Sequence, residues 1–129
     1  MNRSLLITGA LFGVIAIILG AFAAHGLKPL LSLESIQTFE TGVKYQMYSA
    51  LFLLILGGLP IAPEKVKRIC FYLTLFGVCF FSGSIYLLAT NSLTSFDFRT
   101  IALITPIGGS LMIIAWIVLL ISFFKLKKK

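Results

Sequence analysis

The chain has 129 residues, 59% of them hydrophobic and only 12% charged, against about 45–50% and about 25% in soluble domains. Its formal net charge is +7, but the basic residues lie in the short gaps between apolar runs, the placement that sets orientation in a membrane, which argues against a nucleic-acid partner. The length leaves room for a single unit over residues 1–129 and no second domain.

Four stretches hold no Lys, Arg, Asp or Glu: Leu5–Ala24, Tyr45–Ala62, Ile69–Phe96 and Ile101–Phe124. About 20 apolar residues in helical form cross the roughly 30 Å hydrocarbon core of a bilayer. The expected fold is therefore an all-α membrane protein, a bundle of four transmembrane helices with spans at about 5–24, 43–60, 68–90 and 103–124.

The first run follows Arg3 and contains Ala21-Phe22-Ala23, the outline of a signal peptide. It is longer than the 7–15 residues of a signal h-region, which favours a retained span. Gly9, Gly13, Ala16, Gly20 and Ala24 fall on one helical stripe. Such small residues let backbones approach closely where lipid is as apolar as Leu. Gly26, with Pro29 soon after, is placed to end the helix in the left-handed conformation.

The second helix should start at Ser32, a capping residue, with Glu34 in its first turn. Its early turns carry Glu34, Gln37, Glu40 and Lys44 and belong outside the hydrocarbon or at its edge. Beyond them the helix spans, with Gln46, Ser49, Ala50 and Gly57 along one side. A short loop with Pro60 and Pro63 precedes a third helix from about Val66 to Thr90, which offers Thr74, Gly77, Gly83 and Ser84 for packing. Cys70 and Cys79 on that helix point to opposite faces and lie too far apart to bridge.

The fourth span has two readings. Pro106 either kinks a helix that began near Ile101 or takes the first helical position with Thr105 as its cap, the reading slightly favoured. Gly108, Gly109, Ala115 and Ser122 supply its small residues, and Trp116 reads as a packing residue. The small-residue stripes meet either inside one bundle or against a second copy.

Four spans put both termini and the middle loop on one side, with Arg3, Lys65, Lys67, Arg68, Lys125 and Lys127–Lys129, against Lys28, Lys44 and Arg99 on the other. The excess of basic residues predicts cytoplasmic termini. The C-terminal lysines would then lie against anionic lipid headgroups.

Polar residues near the opposite side form a candidate cluster: His25, Glu40, Tyr45, Gln46, Ser84, Tyr86 and Thr105. His25 has two readings, a favourable charge at a helix C-terminus or a titratable group that senses pH or relays protons. Glu40 is its most plausible partner, although Lys44 four residues on offers a simpler ion pair. Gln46 needs a partner in hydrocarbon, either a neighbouring helix or a ligand. For the cluster as a whole, the alternative to a site is a satisfied network that clamps helices together. No nucleophile–base set, metal spacing or phosphate loop is present, so no cofactor, no metal and no enzymatic activity are expected.

The strings GAFAAHGL (20–27), FETGVKYQMYSAL (39–51), FFSGSIYLLA (80–89) and ITPIGG (104–109) closely resemble the bacterial domain-of-unknown-function 423 family, to which eukaryotic transmembrane protein 256 is similar. The resemblance covers nearly the whole chain. It implies a small multi-pass protein of the plasma membrane without an established activity. It also maps the family's signature onto His25, Glu40, Tyr45, Gln46, Ser82, Gly83, Tyr86, Thr105, Pro106 and Gly108. Many members carry His where this chain has Ser49, which removes any mechanism that needs two histidines.

The expected function is a non-enzymatic scaffold or accessory subunit acting through helix–helix contacts, in a homo-oligomer or with a membrane-protein partner. The alternative is a small oligomeric transporter or channel that uses the outer polar cluster. The lack of intramembrane charge counts against the alternative. A lipid-modifying enzyme stands third, for want of a nucleophile.

Overall fold

A computed structural model describes residues 1–93 and 102–126. The described residues form an all-α fold with four long helices, α1 (Asn2–His25), α2 (Leu33–Gly57), α3 (Glu64–Ala89) and α4 (Ile104–Phe124), and one 3-10 turn at Asn91–Leu93. Three of them, α1, α3 and α4, are long and apolar enough to cross a membrane. The exception is α2. Only its part from Tyr45 to Gly57 is free of charge, roughly 20 Å of helix at 1.5 Å per residue, short of the 30 Å a crossing needs. The helix ends at Gly57, where the unbroken sequence pattern that starts at Ser32 stops, and Pro60 and Pro63 follow in the loop.

Helix ends follow local chemistry in some places and tertiary packing in others. Ser32 caps α2 by accepting the Ser35 N–H at 3.1 Å. Gly26, expected to be left-handed, has φ −78° and ψ −38°, and no described residue has positive φ. What glycine leaves room for there is the Phe22 ring, which folds over the helix end: a Cβ would sit 2.7 Å from Phe22 Cδ2, and that half-exposed ring would have to shift. At α4 the helix begins at Ile104 with no side-chain cap, so neither reading of Pro106 holds. Pro106 lies in the first turn, where its missing N–H has no intrahelical acceptor to lose. Thr105 is inside the helix, and its hydroxyl bonds sideways to Ser84 instead of capping.

Packing follows chain order: α1 lies on α2, α2 on α3, and α3 on α4, while α1 and α3 touch only slightly. The closest approaches fall at glycines. A Cβ on Gly9 would lie 2.9 Å from the Ala50 carbonyl oxygen, and one on Gly77 would lie 2.7 Å from Met112 Cγ. A Cβ on Gly108 would overlap the Phe81 amide nitrogen, and Gly42 receives the Tyr86 ring. Two apolar cores result. Leu5, Leu53, Leu56, Cys70 and Leu119 join all four helices at one end. Ala23, Leu27, Ile36, Phe39 and Ala89 join α1, α2 and α3 at the other.

The α1 stripe turns toward α2, with Gly9 and Ala16 buried. A Cβ on Gly20 would stand 3.5 Å from Val43 Cγ1 and one on Gly13 3.9 Å from Ala50 Cβ, whereas Ala24, expected on the same stripe, is exposed. A Cβ on Gly109 would stand 3.3 Å from Phe81 Cδ1. Gly83, expected to pack, has nothing within 4 Å of where a Cβ would stand, because that side of α3 faces away from its neighbours.

Candidate functional site

Gln46 is the centre of the interior polar structure. It is 4% exposed, and its amide nitrogen donates to the Phe12 carbonyl of α1 at 2.9 Å. Its amide oxygen accepts from the Tyr86 hydroxyl of α3 at 2.6 Å. Because a carbonyl can only accept, the Phe12 contact fixes which way the amide faces. One side chain thus ties three helices, and an amide that would cost several kcal/mol unpaired in hydrocarbon is satisfied on both ends.

Most of the other interior polar groups are also bonded, Ser122 within its own helix and others across helices, and Thr74 alone among the described ones is without a partner. Ser82 donates to the Gly42 carbonyl at 2.7 Å, linking α3 to α2. Ser84 donates to the Phe81 carbonyl at 3.0 Å, so the single proton left for its contact with Thr105 belongs to Thr105, and this bond links α4 to α3. Ser49 reaches Met112 Sδ at 3.4 Å and Cys70 reaches the Ala115 carbonyl at 3.4 Å. At the opposite end Lys67, 3% exposed, donates to Asn2 Oδ1 at 2.8 Å.

His25 and Glu40 take no part in this. Both are exposed, and among the described residues neither makes a side-chain hydrogen bond or ion pair. The Glu40–Lys44 pair favoured by spacing is not formed. The ion pair recorded joins the Met1 ammonium to Glu64 at 3.3 Å. The residues grouped by sequence as one outer cluster are thus two internal bonded pairs, Gln46–Tyr86 and Ser84–Thr105, plus three exposed groups, His25, Glu40 and Tyr45. No set of three or more His, Cys, Asp or Glu among the described residues could hold a metal.

Tyr45 belongs to a different feature. It is exposed, with its ring edge-on to Tyr48 at 5.4 Å and to Phe81 at 5.1 Å. These rings open a groove of about 900 Å³ between α2 and α4, with Phe52, Met112 and Trp116 along its walls. The Phe52 and Trp116 rings meet at a 44° tilt with centroids 4.6 Å apart. Trp116 is half exposed, so it lines the groove instead of filling the core. Tyr48, Phe52 and Trp116 were missed as site residues. Their signal was the spacing Tyr45, Tyr48, Phe52 on one helix and Gly109, Met112, Trp116 on another, in each case one face over two turns.

Comparison with known proteins accords with this picture. A family model described as "Protein of unknown function (DUF423)" matches residues 19–109. A UPF0382 membrane protein of Staphylococcus saprophyticus is 40% identical over 121 residues, covering 94% of this chain and 97% of its own length. A UPF0382 membrane protein of Haemophilus influenzae is 37% identical, with 98% of each chain covered. The UPF0382 inner membrane protein YgdD of Escherichia coli is 34% identical, covering 99% of this chain and 95% of its own. No solved structure matches the chain.

Proposed function

The chain belongs to the DUF423 family of proteins of unknown function, and from that premise we propose that it is a non-enzymatic scaffold or accessory subunit of the bacterial plasma membrane. It works through helix–helix contacts. The observation that carries this reading is the division of its interior from its surface. The interior hydroxyl and amide groups, apart from Thr74, bond between or within helices, whereas the α2–α4 groove is broad, aromatic and laterally open. A groove of that form suits a hydrophobic partner helix, contributed by a second copy or by another membrane protein.

In this reading α2 is the fourth crossing and both termini are cytoplasmic. Three observations support it. The charge-free half of α2 packs along α1 and α3, both long enough to span. Glu40 and Lys44 are exposed near the outer boundary, where a lysine stem can carry its charge to the headgroups. The basic residues favour the side of Arg3, Arg68 and Lys125. A transporter that works through the outer polar residues is disfavoured, because Gln46, Ser84, Tyr86 and Thr105 are occupied with one another.

A photo-cross-linking residue at Tyr48, in the groove, tests the proposal against the same residue at Ile17, two-thirds exposed on the outer face of α1. In intact cells Tyr48 should yield a discrete protein adduct whose mass identifies a second copy or another subunit. Ile17 should yield lipid adducts. Lipid adducts alone from both positions would refute the scaffold reading.

A further inference from the structure

At the end of the molecule opposite His25, the seam between α3 and α4 opens into a furrow of about 370 Å³. Val66, Ile69, Val118 and Ile121 form its walls. Two lysines stand at its mouth, Lys65 in the first turn of α3 and Lys125 at the C-terminal cap of α4. Ile69 is shared with a second furrow of about 400 Å³, which runs along α3 past Tyr72 to Phe76 and meets Leu111 of α4. Arg68 marks the lower end of that second furrow. An apolar track therefore extends roughly 10 Å along α3 from Ile69 to Phe76, with three cations at one end of it.

The start of α3 adds to the positive field. Pro63 holds the cap position and offers no capping side chain. The first intrahelical bond is from the Lys67 N–H to the Pro63 carbonyl at 3.0 Å, so the N–H groups of Glu64, Lys65 and Val66 have no intrahelical acceptor. Uncapped N–H groups and the positive end of the helix dipole favour a phosphate. The lysines and Arg68 are exposed, and among the described residues none of them has an ion pair or a side-chain hydrogen bond. The adjacent carboxylate, Glu64, is 3.3 Å from the Met1 ammonium. Lys67, by contrast, is buried and turned inward to Asn2. The cations at the furrow mouth are thus free to meet an external anion.

We propose that this furrow binds an anionic phospholipid of the surrounding bilayer. The phosphate sits between Lys65, Lys125 and the uncapped start of α3, and one acyl chain lies along Ile69 toward Phe76. Charge complementarity selects the headgroup, because two lysines facing one furrow repel each other until an anion lies between them. The apolar track selects a lipid over a soluble phosphate, which would use the cations and leave the track empty. A zwitterionic headgroup brings its own ammonium to the same place and loses much of the attraction. The site is independent of the groove between α2 and α4, so it stands or falls apart from the scaffold reading.

Native mass spectrometry of the full chain, titrated in neutral detergent with phosphatidylglycerol and with phosphatidylcholine, tests the site. Phosphatidylglycerol should bind at least about tenfold more tightly than phosphatidylcholine. The double variant Lys65→Ala/Lys125→Ala should lose roughly thirtyfold in phosphatidylglycerol affinity with little change for phosphatidylcholine. Ile69→Trp, which fills the track and keeps the cations, should weaken both lipids. The control Lys127→Ala/Lys128→Ala/Lys129→Ala, which removes more positive charge but neither furrow lysine, should lose no more than about threefold in phosphatidylglycerol affinity. Equal binding of the two lipids, an unaffected double variant, a control that loses as much as the double variant, or displacement by millimolar inorganic phosphate would each overturn the proposal. Both lysines are exposed, so an unchanged melting temperature is expected for the double variant and separates lost binding from lost folding.

Discussion

The Tyr86 hydroxyl donates to Gln46 Oε1 at 2.6 Å, and so joins α3 to a side chain that already holds the Phe12 carbonyl of α1. By helix rise, Phe12 lies roughly 15 Å along α1 from Asn2, which pairs with Lys67 at the basic end of the molecule. The amide therefore sits near mid-membrane if that basic end marks one boundary. Hydrogen bonds between helices in membranes contribute about 0.6 kcal/mol on average and up to about 1.7.

A double-mutant cycle measures this bond. Tyr86→Phe and Gln46→Leu should each lower stability, and the double variant should lose less than the sum. The coupling energy is expected near 1 kcal/mol, at the upper half of the membrane range, because both partners are fixed by other contacts. Reversible unfolding in mixed micelles reads it. Strict additivity would mean that Gln46 and Tyr86 act independently.

The two glycines of the Gly9-to-Gly13 step are not equivalent. A Cβ on Gly9 would lie 2.9 Å from a backbone oxygen of α2, which cannot rotate away, whereas one on Gly13 meets only the Ala50 methyl at 3.9 Å. Gly9→Ala should destabilise by about 1–3 kcal/mol through overpacking. Gly13→Ala should be neutral or slightly stabilising through its better helix propensity. Gly83→Ala, in open space, should behave like Gly13→Ala, and Gly108→Ala like Gly9→Ala. The same unfolding measurement ranks all four.

Thr74 carries the one described side-chain oxygen that is buried without a hydrogen-bond partner. Replacing it by Val keeps the shape and removes an unpaired hydroxyl, whose burial costs about 1–3 kcal/mol. Thr74→Val should therefore raise the melting temperature. A fall would show that the hydroxyl has a partner, such as an ordered water, that the protein depends on.

Much of this was legible from residue spacing. The helices, their order and the Ser32 cap follow from charge-free runs and capping chemistry, because both act within a few residues. The buried faces of α2, α3 and α4 could be read from Ser49, Ala50, Thr74, Gly77, Ala115 and Ser122, each of which is buried. The candidate cluster could not be resolved the same way. Spacing placed His25, Glu40, Gln46 and Thr105 near one level of the membrane, but level says nothing about rotation around each helix. For α2 that rotation is set by close packing at Gly42 against Tyr86 and at Gly9 against Ala50, and it turns Gln46 inward while leaving Glu40 outside. The role of Thr105 at the start of α4 was missed for a related reason: its hydroxyl has two acceptable partners, its own helix end or Ser84, and tertiary contact decided between them.

Since His25 and Glu40 stand apart from the interior network, His25→Ala and Glu40→Gln should each change stability by less than about 0.5 kcal/mol, as for ordinary surface positions. In proteoliposomes neither should alter proton or ion flux relative to the parent. Flux through the parent that either substitution removes would revive a transporter at the outer face.

Trp116 is the only tryptophan in the chain, and it is half exposed on the wall of the α2–α4 groove, so its fluorescence reports on that groove alone. It lies roughly 18 Å from the start of α4 and about 12 Å from its end, close to the bilayer centre if α4 crosses. In vesicles at low protein density, lipids brominated deep in the acyl chain should quench Trp116 more strongly than lipids brominated near the headgroup. Raising the protein-to-lipid ratio should relieve the quenching if a second copy enters the groove, because a helix packed over Tyr48 and Trp116 displaces the brominated chains. Quenching that stays constant with density counts against a second copy in this groove. Quenching that is strongest near the headgroup would mean that α4 does not cross the bilayer as its length and composition allow.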